Sequence, residues 1–307
     1  MMKVWMVVLL LGGWILAGDP KMPDPQVSDL EALLKEQPND SETMLTLVKL
    51  LNQQGQGEAA FTWAEKLVKL TPNSAEAHAA LGTSLRLKMG QNPMAWMMGK
   101  SQYLGALEQA ITLNPQFVAP YLELMGFYRN APAIAGGSMK KAHEVVDRLT
   151  LVAPLDGGLA RGSLWYKEGN QQKSLDTYLA LLKDFPEEPQ VWYRIGLAQS
   201  GLNNYPEAAA AFKNVLEKES RWQTQALYQL GKTYLLWGQQ LEEALDLFAR
   251  YLQAVSPEDH PAPADALWRK GQVHLALAQK DQAKICFQQA LALDGDHKES
   301  KKELSQL

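Results

Sequence analysis

From residue 41 onward, apolar residues recur at three- and four-residue spacing in runs of about a dozen positions. Prolines or glycine–polar pairs interrupt the runs. That period predicts amphipathic helices, and the runs come in pairs. Within a pair, a bulky residue stands at the fourth place and a leucine–glycine step at the seventh and eighth. Small or aromatic residues follow at the twentieth, twenty-fourth and twenty-seventh, and a proline closes the unit near the thirty-second. The pattern returns seven times, over 41–74, 75–117, 118–154, 155–188, 189–222, 224–258 and 264–297.

The clearest unit carries Trp192, Ile195, Gly196, Ala208 and Phe212, after Pro186 in the preceding closing slot. Another reads Leu267, Gly271, Ala283, Phe287 and Ala290, and a third Leu227, Leu230, Gly231, Ala244 and Phe248. Toward the N-terminus the slots hold Met44, Leu47, Leu51, Ala60 and Pro72, then Leu81, Gly82, Tyr103, Leu107, Ala110 and Pro115. The next unit carries Tyr121, Leu124, Ala142, Val146, Leu149 and Pro154. The unit at 155–188 is degenerate in its first helix and keeps Ser174, Tyr178, Leu181 and Pro186 in its second. Glycine and alanine at these places let two helices approach closely. Proline ends the second helix because it lacks an amide proton and clashes with the preceding turn.

On these residues the chain resembles the tetratricopeptide-repeat (TPR) family over about residues 41–297. The resemblance implies an all-α TPR α-solenoid: a right-handed superhelix of about seven helix-turn-helix repeats, with a leading helix at 28–35 and a capping helix at 298–306. A single pair cannot bury its apolar face, so the units must stack. In the family, the second, fifth, ninth and twelfth places of each first helix line a concave groove. Those places carry Lys49, Asn52, Arg86, Arg129, Tyr193, Tyr228, Lys232, Trp268 and Gln272. Such rings and cations suit an extended peptide or a partner helix; equally, the rings could pack against the neighbouring pair. Leu45, Ala79 and Leu122 at the fifth places of the first three units argue against the chaperone-tail clamp of some TPR proteins.

Two units exceed the 34-residue period. The first insertion carries Met89, Met94, Trp96, Met97 and Met98, and it has three readings. Flexible thioethers fill gaps in a core, offer an adaptable apolar contact, or select Cu(I) as soft ligands. The second, at 131–138, contains Gly136, Gly137 and Ser138. Their amides could meet an anion, or Ser138 could simply cap the next helix. This stretch with Lys141 and Ala142 is similar to one in a group of secreted bacterial TPR proteins.

The N-terminus changes the picture of location. Lys3 precedes an apolar run at 4–17, followed by Gly18, Asp19 and prolines at 20, 23 and 25. That layout predicts a Sec signal peptide at 1–18 and a proline-rich linker at 19–27, hence a periplasmic protein. The alternative is an uncleaved inner-membrane anchor, although a spanning helix needs about 20 apolar residues.

Composition removes other classes. With 30 basic and 34 acidic residues spread evenly, for a net charge of −4, no basic stripe exists to neutralise a phosphate backbone, so no nucleic-acid partner is expected. Five scattered histidines and one cysteine, Cys286 at an apolar helical position, give no catalytic constellation, no metal set and no cofactor site. The expected function is an exported scaffold that binds a protein or peptide in its groove, in cell-envelope assembly. The alternative is a periplasmic carrier of a small ligand or metal ion, using the methionine-rich or Gly-Gly-Ser insertion.

Overall fold

A computed structural model describes residues 26–90, 92–256 and 261–307. The segment at 1–18, read as signal peptide or anchor, and most of the linker at 19–27 lie outside the described residues. Among the described residues all regular structure is helical. The helices are α1 (Val27–Glu36), α2 (Ser41–Gln53), α3 (Gly57–Leu70), α4 (Ala75–Met89), α5 (Pro93–Leu113), α6 (Val118–Asn130), α7 (Met139–Val152) and α8 (Pro154–Lys167). They continue with α9 (Gln171–Asp184), α10 (Pro189–Gly201), α11 (Tyr205–Leu216), α12 (Gln223–Trp237), α13 (Leu241–Ala254), α14 (Pro263–Ala276), α15 (Lys280–Leu293) and α16 (Lys298–Leu304).

The chain divides into two compact units, Met1–Ala110 and Ile111–Leu307, with the division inside α5. In each unit neighbouring helices pack in chain order, and the first helix of a pair also touches the first helix of the next. α2 meets α4 in this way, as α10 meets α12 and α12 meets α14. This is the helix-pair stack of an all-α solenoid.

Local signals start the helices where the chain needs them. The Asp40 carboxylate accepts from the amides of Glu42 and Thr43 at the head of α2. Ser74 and Ser138 do the same for α4 and α7, each satisfying an amide left without an intrahelical partner. Proline occupies the first turn of α8, α10, α11 and α14, where its missing N–H would have been unpaired in any case.

The closing prolines have a second role. The carbonyl of Pro186 accepts from the Trp192 indole at 2.9 Å, and that of Pro115 from the Tyr121 hydroxyl at 3.1 Å. His78 meets the Pro72 carbonyl in the same way at 2.9 Å. In all three the side chain stands at the fourth place of the following unit, so the turn between pairs is tied to the helix it introduces.

Within a pair, glycine meets a ring. A Cβ on Gly196 would lie 2.5 Å from the Phe212 ring, and one on Gly231 would lie 3.1 Å from Phe248. Gly271 faces Phe287 and Gly162 faces Tyr178 in the same manner. Gly162 stands at the eighth place of the unit read as degenerate, so that unit retains its glycine slot after all.

The insertions take different forms. The methionine-rich one lengthens the second helix of its pair, so α5 has 21 residues where α3 has 14. The one at 131–138 is a loop built on a single 3₁₀ turn, Ala133–Ala135. Gly136 there has φ of 101°, which only glycine adopts readily, and a Cβ on Gly137 would collide with the Ala131 carbonyl.

Candidate functional site: the row of first helices

Three rungs join the first helices of successive pairs, and a fourth joins the last of them to the capping helix. In the first unit the Ser84 hydroxyl donates to Asn52 Oδ1 at 3.0 Å. In the second, Arg129 donates to the Ser163 hydroxyl at 3.0 Å, and the Ser200 and Thr233 hydroxyls lie 3.3 Å apart. Gln272 donates to Glu303 at 3.2 Å, reaching from α14 to α16. Asn52, Arg129 and Gln272, expected as groove contacts, are thus engaged in holding adjacent units in register. Lys49 and Arg86 stand exposed on α2 and α4.

The aromatic candidates separate into two kinds. Tyr193 is buried, stacked on Trp222 at 5.1 Å and set edge-on to Phe212 at 5.8 Å. Tyr228 is buried against Phe248 and Tyr251, with centroids at 5.7 and 5.3 Å. Both rings therefore pack within their own helix pairs, Tyr193 also against Trp222 at the pair's end, so of the two readings their burial favours packing over open contact area. Trp268 is half-buried and differs from them. Its indole Nε1 is enclosed without a hydrogen-bond acceptor, and the Arg269 guanidinium lies over its ring at 4.0 Å.

Around Trp268 the second unit gathers cations without counter-ions. Lys232 on α12 is half-buried and makes no ion pair among the described residues. Burial, and then the nearby Arg269 guanidinium, hold its ammonium below the usual lysine range. Arg269 donates to Gln272 at 2.9 Å, yet its Nε is buried with no acceptor. The local acids are committed elsewhere: Asp265 to His297 at 3.3 Å, and Glu303 to Gln272. Sequence reading missed Arg269 because it stands at the sixth place of its repeat, outside the places taken to line a groove. Its one signal was its position beside Trp268.

Burial also raises the hydroxyls of Tyr178, Tyr193, Tyr228 and Tyr234 above their ordinary value of 10.0, with neighbouring cations opposing the shift. A raised tyrosine contributes stability that is whole below the unfolded value and lost as pH climbs through the folded one. Lys232, lowered, works in the opposite sense below 10.5, but it is one group against six, since Lys213 and Cys286 are raised as well. Melting temperature is therefore expected to begin falling near pH 9, where the cysteine ionises in the unfolded chain, and to fall steeply above about pH 10. A circular-dichroism melting series that stays flat through pH 11 would contradict this burial.

The insertion residues resolve clearly. The Gly136, Gly137 and Ser138 amides donate to the carbonyls of Ala133, Pro132 and Tyr128. Ser138 caps α7. These amides have no capacity left for an anion, so the anion-binding reading fails and the capping reading stands. Trp96 folds back, donating to the Gly90 carbonyl at 2.8 Å and meeting Tyr103 edge-on at 5.4 Å. Met94, Met97 and Met98 are exposed.

Two family models, both described as tetratricopeptide repeat, match the second unit: one at residues 159–220 and 193–259, the other at 264–302. Residues 159–259 and 264–302 thus match tetratricopeptide repeats. Solved structures extend this TPR fold beyond the matched residues. The Cut9–Hcn1 hetero-tetramer of the APC/C is similar with a TM-score of 0.59 at 16% identity, over 91% of this chain and 51% of the other. This chain thus spans about half the length of that relative. A TPR protein from Parabacteroides merdae ATCC 43184 gives a TM-score of 0.54 at 15% identity, over 86% of this chain and 97% of the other. PilW, described as a widely conserved type IV pilus biogenesis factor, gives 0.54 at 21% identity over 70% and 96%. At these identities the likeness is one of fold. No curated protein matches the sequence.

Proposed function

We propose that this chain is an exported, non-catalytic TPR scaffold whose second unit binds a carboxylate-bearing segment of a protein partner. The observation that carries this reading is the pair Lys232 and Arg269. Two half-buried cations sit on consecutive first helices with no carboxylate of their own, beside an indole N–H with no acceptor. A buried charge without a partner is destabilising, and an incoming carboxylate would remove that penalty. Trp268 and the stacked Arg269 supply a rigid flat surface beside it.

Export rests on the charge-then-apolar N-terminal segment and on the likeness of residues 131–142 to secreted bacterial TPR proteins. A role in assembling a cell-envelope complex is the corresponding biological setting; PilW, a pilus biogenesis factor, shares the fold. Lys49, Arg86 and Trp268 remain the exposed or half-exposed candidates for further contacts along the row.

The test uses a defined peptide array of acidic, neutral and basic ten-residue sequences. Acidic members are expected to bind, and Lys232→Met with Arg269→Met to weaken them at least about tenfold, since charge-pair loss is worth several kcal/mol. Binding that ignores peptide charge, or that survives both substitutions, would overturn the assignment.

A further inference from the structure

The extension of α5 carries a feature that the scaffold reading does not use. Met94, Met97 and Met98 are 59%, 71% and 79% exposed, while the same helix buries Tyr103, Leu107 and Ala110 completely. Met89, the other methionine of this stretch, is buried and lies against Gly99. The structure therefore separates one methionine that fills a core from three that fill nothing.

Those three stand at positions i, i+3 and i+4 of one helix, the spacing that puts side chains on a common face with Cβ atoms about 5–6 Å apart. Each thioether has three rotatable bonds, so three sulfurs on such a face can converge on one point above it. The helix beneath them is well anchored. Asn92 caps it by accepting from the amides of Met94 and Ala95 at 3.0 and 3.3 Å, and the Trp96 indole is bonded to the Gly90 carbonyl. The platform is fixed and the donors are free.

Thioethers are soft, uncharged donors, and they select monovalent soft metals over zinc, calcium or magnesium. Residues 92–99 contain no carboxylate, histidine or cysteine that would bring in a harder ion. Nor do three such groups converge anywhere else among the described residues. Cys286, the one thiol, is buried in the second unit with burial pushing its pKa up, so it offers no competing thiolate.

We infer that Met94, Met97 and Met98 form a surface site for one Cu(I) ion per chain. Binding requires no redox step and releases no proton, because the thioether sulfur carries none. Affinity should then be nearly constant from pH 7 to about pH 5, where histidine- or thiolate-based sites lose metal to protons. The inference is independent of Lys232 and Arg269.

The experiment measures Cu(I) uptake by the purified full chain under argon, in competition with a chromogenic Cu(I) chelator, with Ag(I) as an air-stable second probe. One equivalent is expected to bind, with little change between pH 7 and 5. The triple variant Met94→Leu, Met97→Leu, Met98→Leu is expected to lose that uptake altogether. Leucine keeps the face apolar, so a surface used only for hydrophobic docking would be unaffected by the change. If the triple variant failed to fold, methyl NMR of the unaltered chain gives the same answer. Ag(I) should shift the methyl signals of Met94, Met97 and Met98 and leave that of Met89 in place. No stoichiometric uptake, uptake retained by the leucine variant, or a shift at Met89 with none at the other three would each overturn the proposal.

Discussion

Phe212→Ala is expected to destabilise the second unit by about 3–5 kcal/mol, the range for deleting a fully enclosed phenylalanine ring. Phe212 has no exposed surface and lies in a cluster with Tyr193, Ala208, Val215 and Leu230. Gly196 is what admits the ring, since a Cβ there would reach to 2.5 Å of it. The loss falls in an interior pair, and repeat stability depends on contacts between neighbours, so units on both sides lose support. Urea unfolding followed by circular dichroism measures the change, and a loss below about 1 kcal/mol would show that the ring is not enclosed in this way. A second arm tests the glycine–ring pairing itself. Gly196→Ala alone overpacks the site, at a cost of about 1–3 kcal/mol. Combined with Phe212→Leu, the added methyl gains room, and the double variant is expected to be more stable than the sum of the two single effects predicts.

The second large effect belongs to the first unit. Gly57 begins α3 and is buried against α4, where a Cβ would fall on the backbone of Leu87 and Lys88. A ring such as Phe212 can shift by changing rotamer, but a helical backbone cannot without opening its hydrogen bonds. Gly57→Val should therefore force α3 away from α4, at a cost of about 3 kcal/mol or more. The Lys88–Glu58 ion pair at 3.1 Å and the Lys88 ammonium over Phe61 at 3.9 Å would be lost with it. Hydrogen exchange provides the readout: amides of α3 and α4 should lose protection while those of α12 and α13 keep theirs. Equal protection in the variant and the unaltered chain would mean that the close approach at Gly57 does not exist.

The fold was legible because its requirements repeat at short range. Gly196 with Phe212, Gly231 with Phe248 and Gly271 with Phe287 are each sixteen or seventeen residues apart, within one helix pair, so their spacing can be read from the chain. Gly162 with Tyr178 obeys the same sixteen-residue rule, although its unit reads as degenerate in its first helix. The candidate site was far less legible. Tyr193, Tyr228 and Trp268 occupy equivalent places in three repeats, yet the first two are buried among rings and the third holds an unsatisfied indole beside Arg269. What distinguishes them is the side chain the fold brings beside each ring: Trp222 beside Tyr193, Tyr251 beside Tyr228, Arg269 and His297 beside Trp268.

Periodicity and the alternation of small and bulky residues were enough to determine an all-helical stack of paired helices, because each pair must solve its own close-approach problem locally. Tertiary structure alone decided which polar groups are satisfied and which apolar ones are covered. It engaged the Gly136–Ser138 amides within their own loop, drew Asn52, Arg129 and Gln272 into rungs between units, left Lys232 and Arg269 without counter-ions, and placed Met94, Met97 and Met98 in solvent. The physical reason is that hydrogen bonding and burial depend on atoms contributed by other segments, and the sequence of a single segment carries no record of what those atoms are.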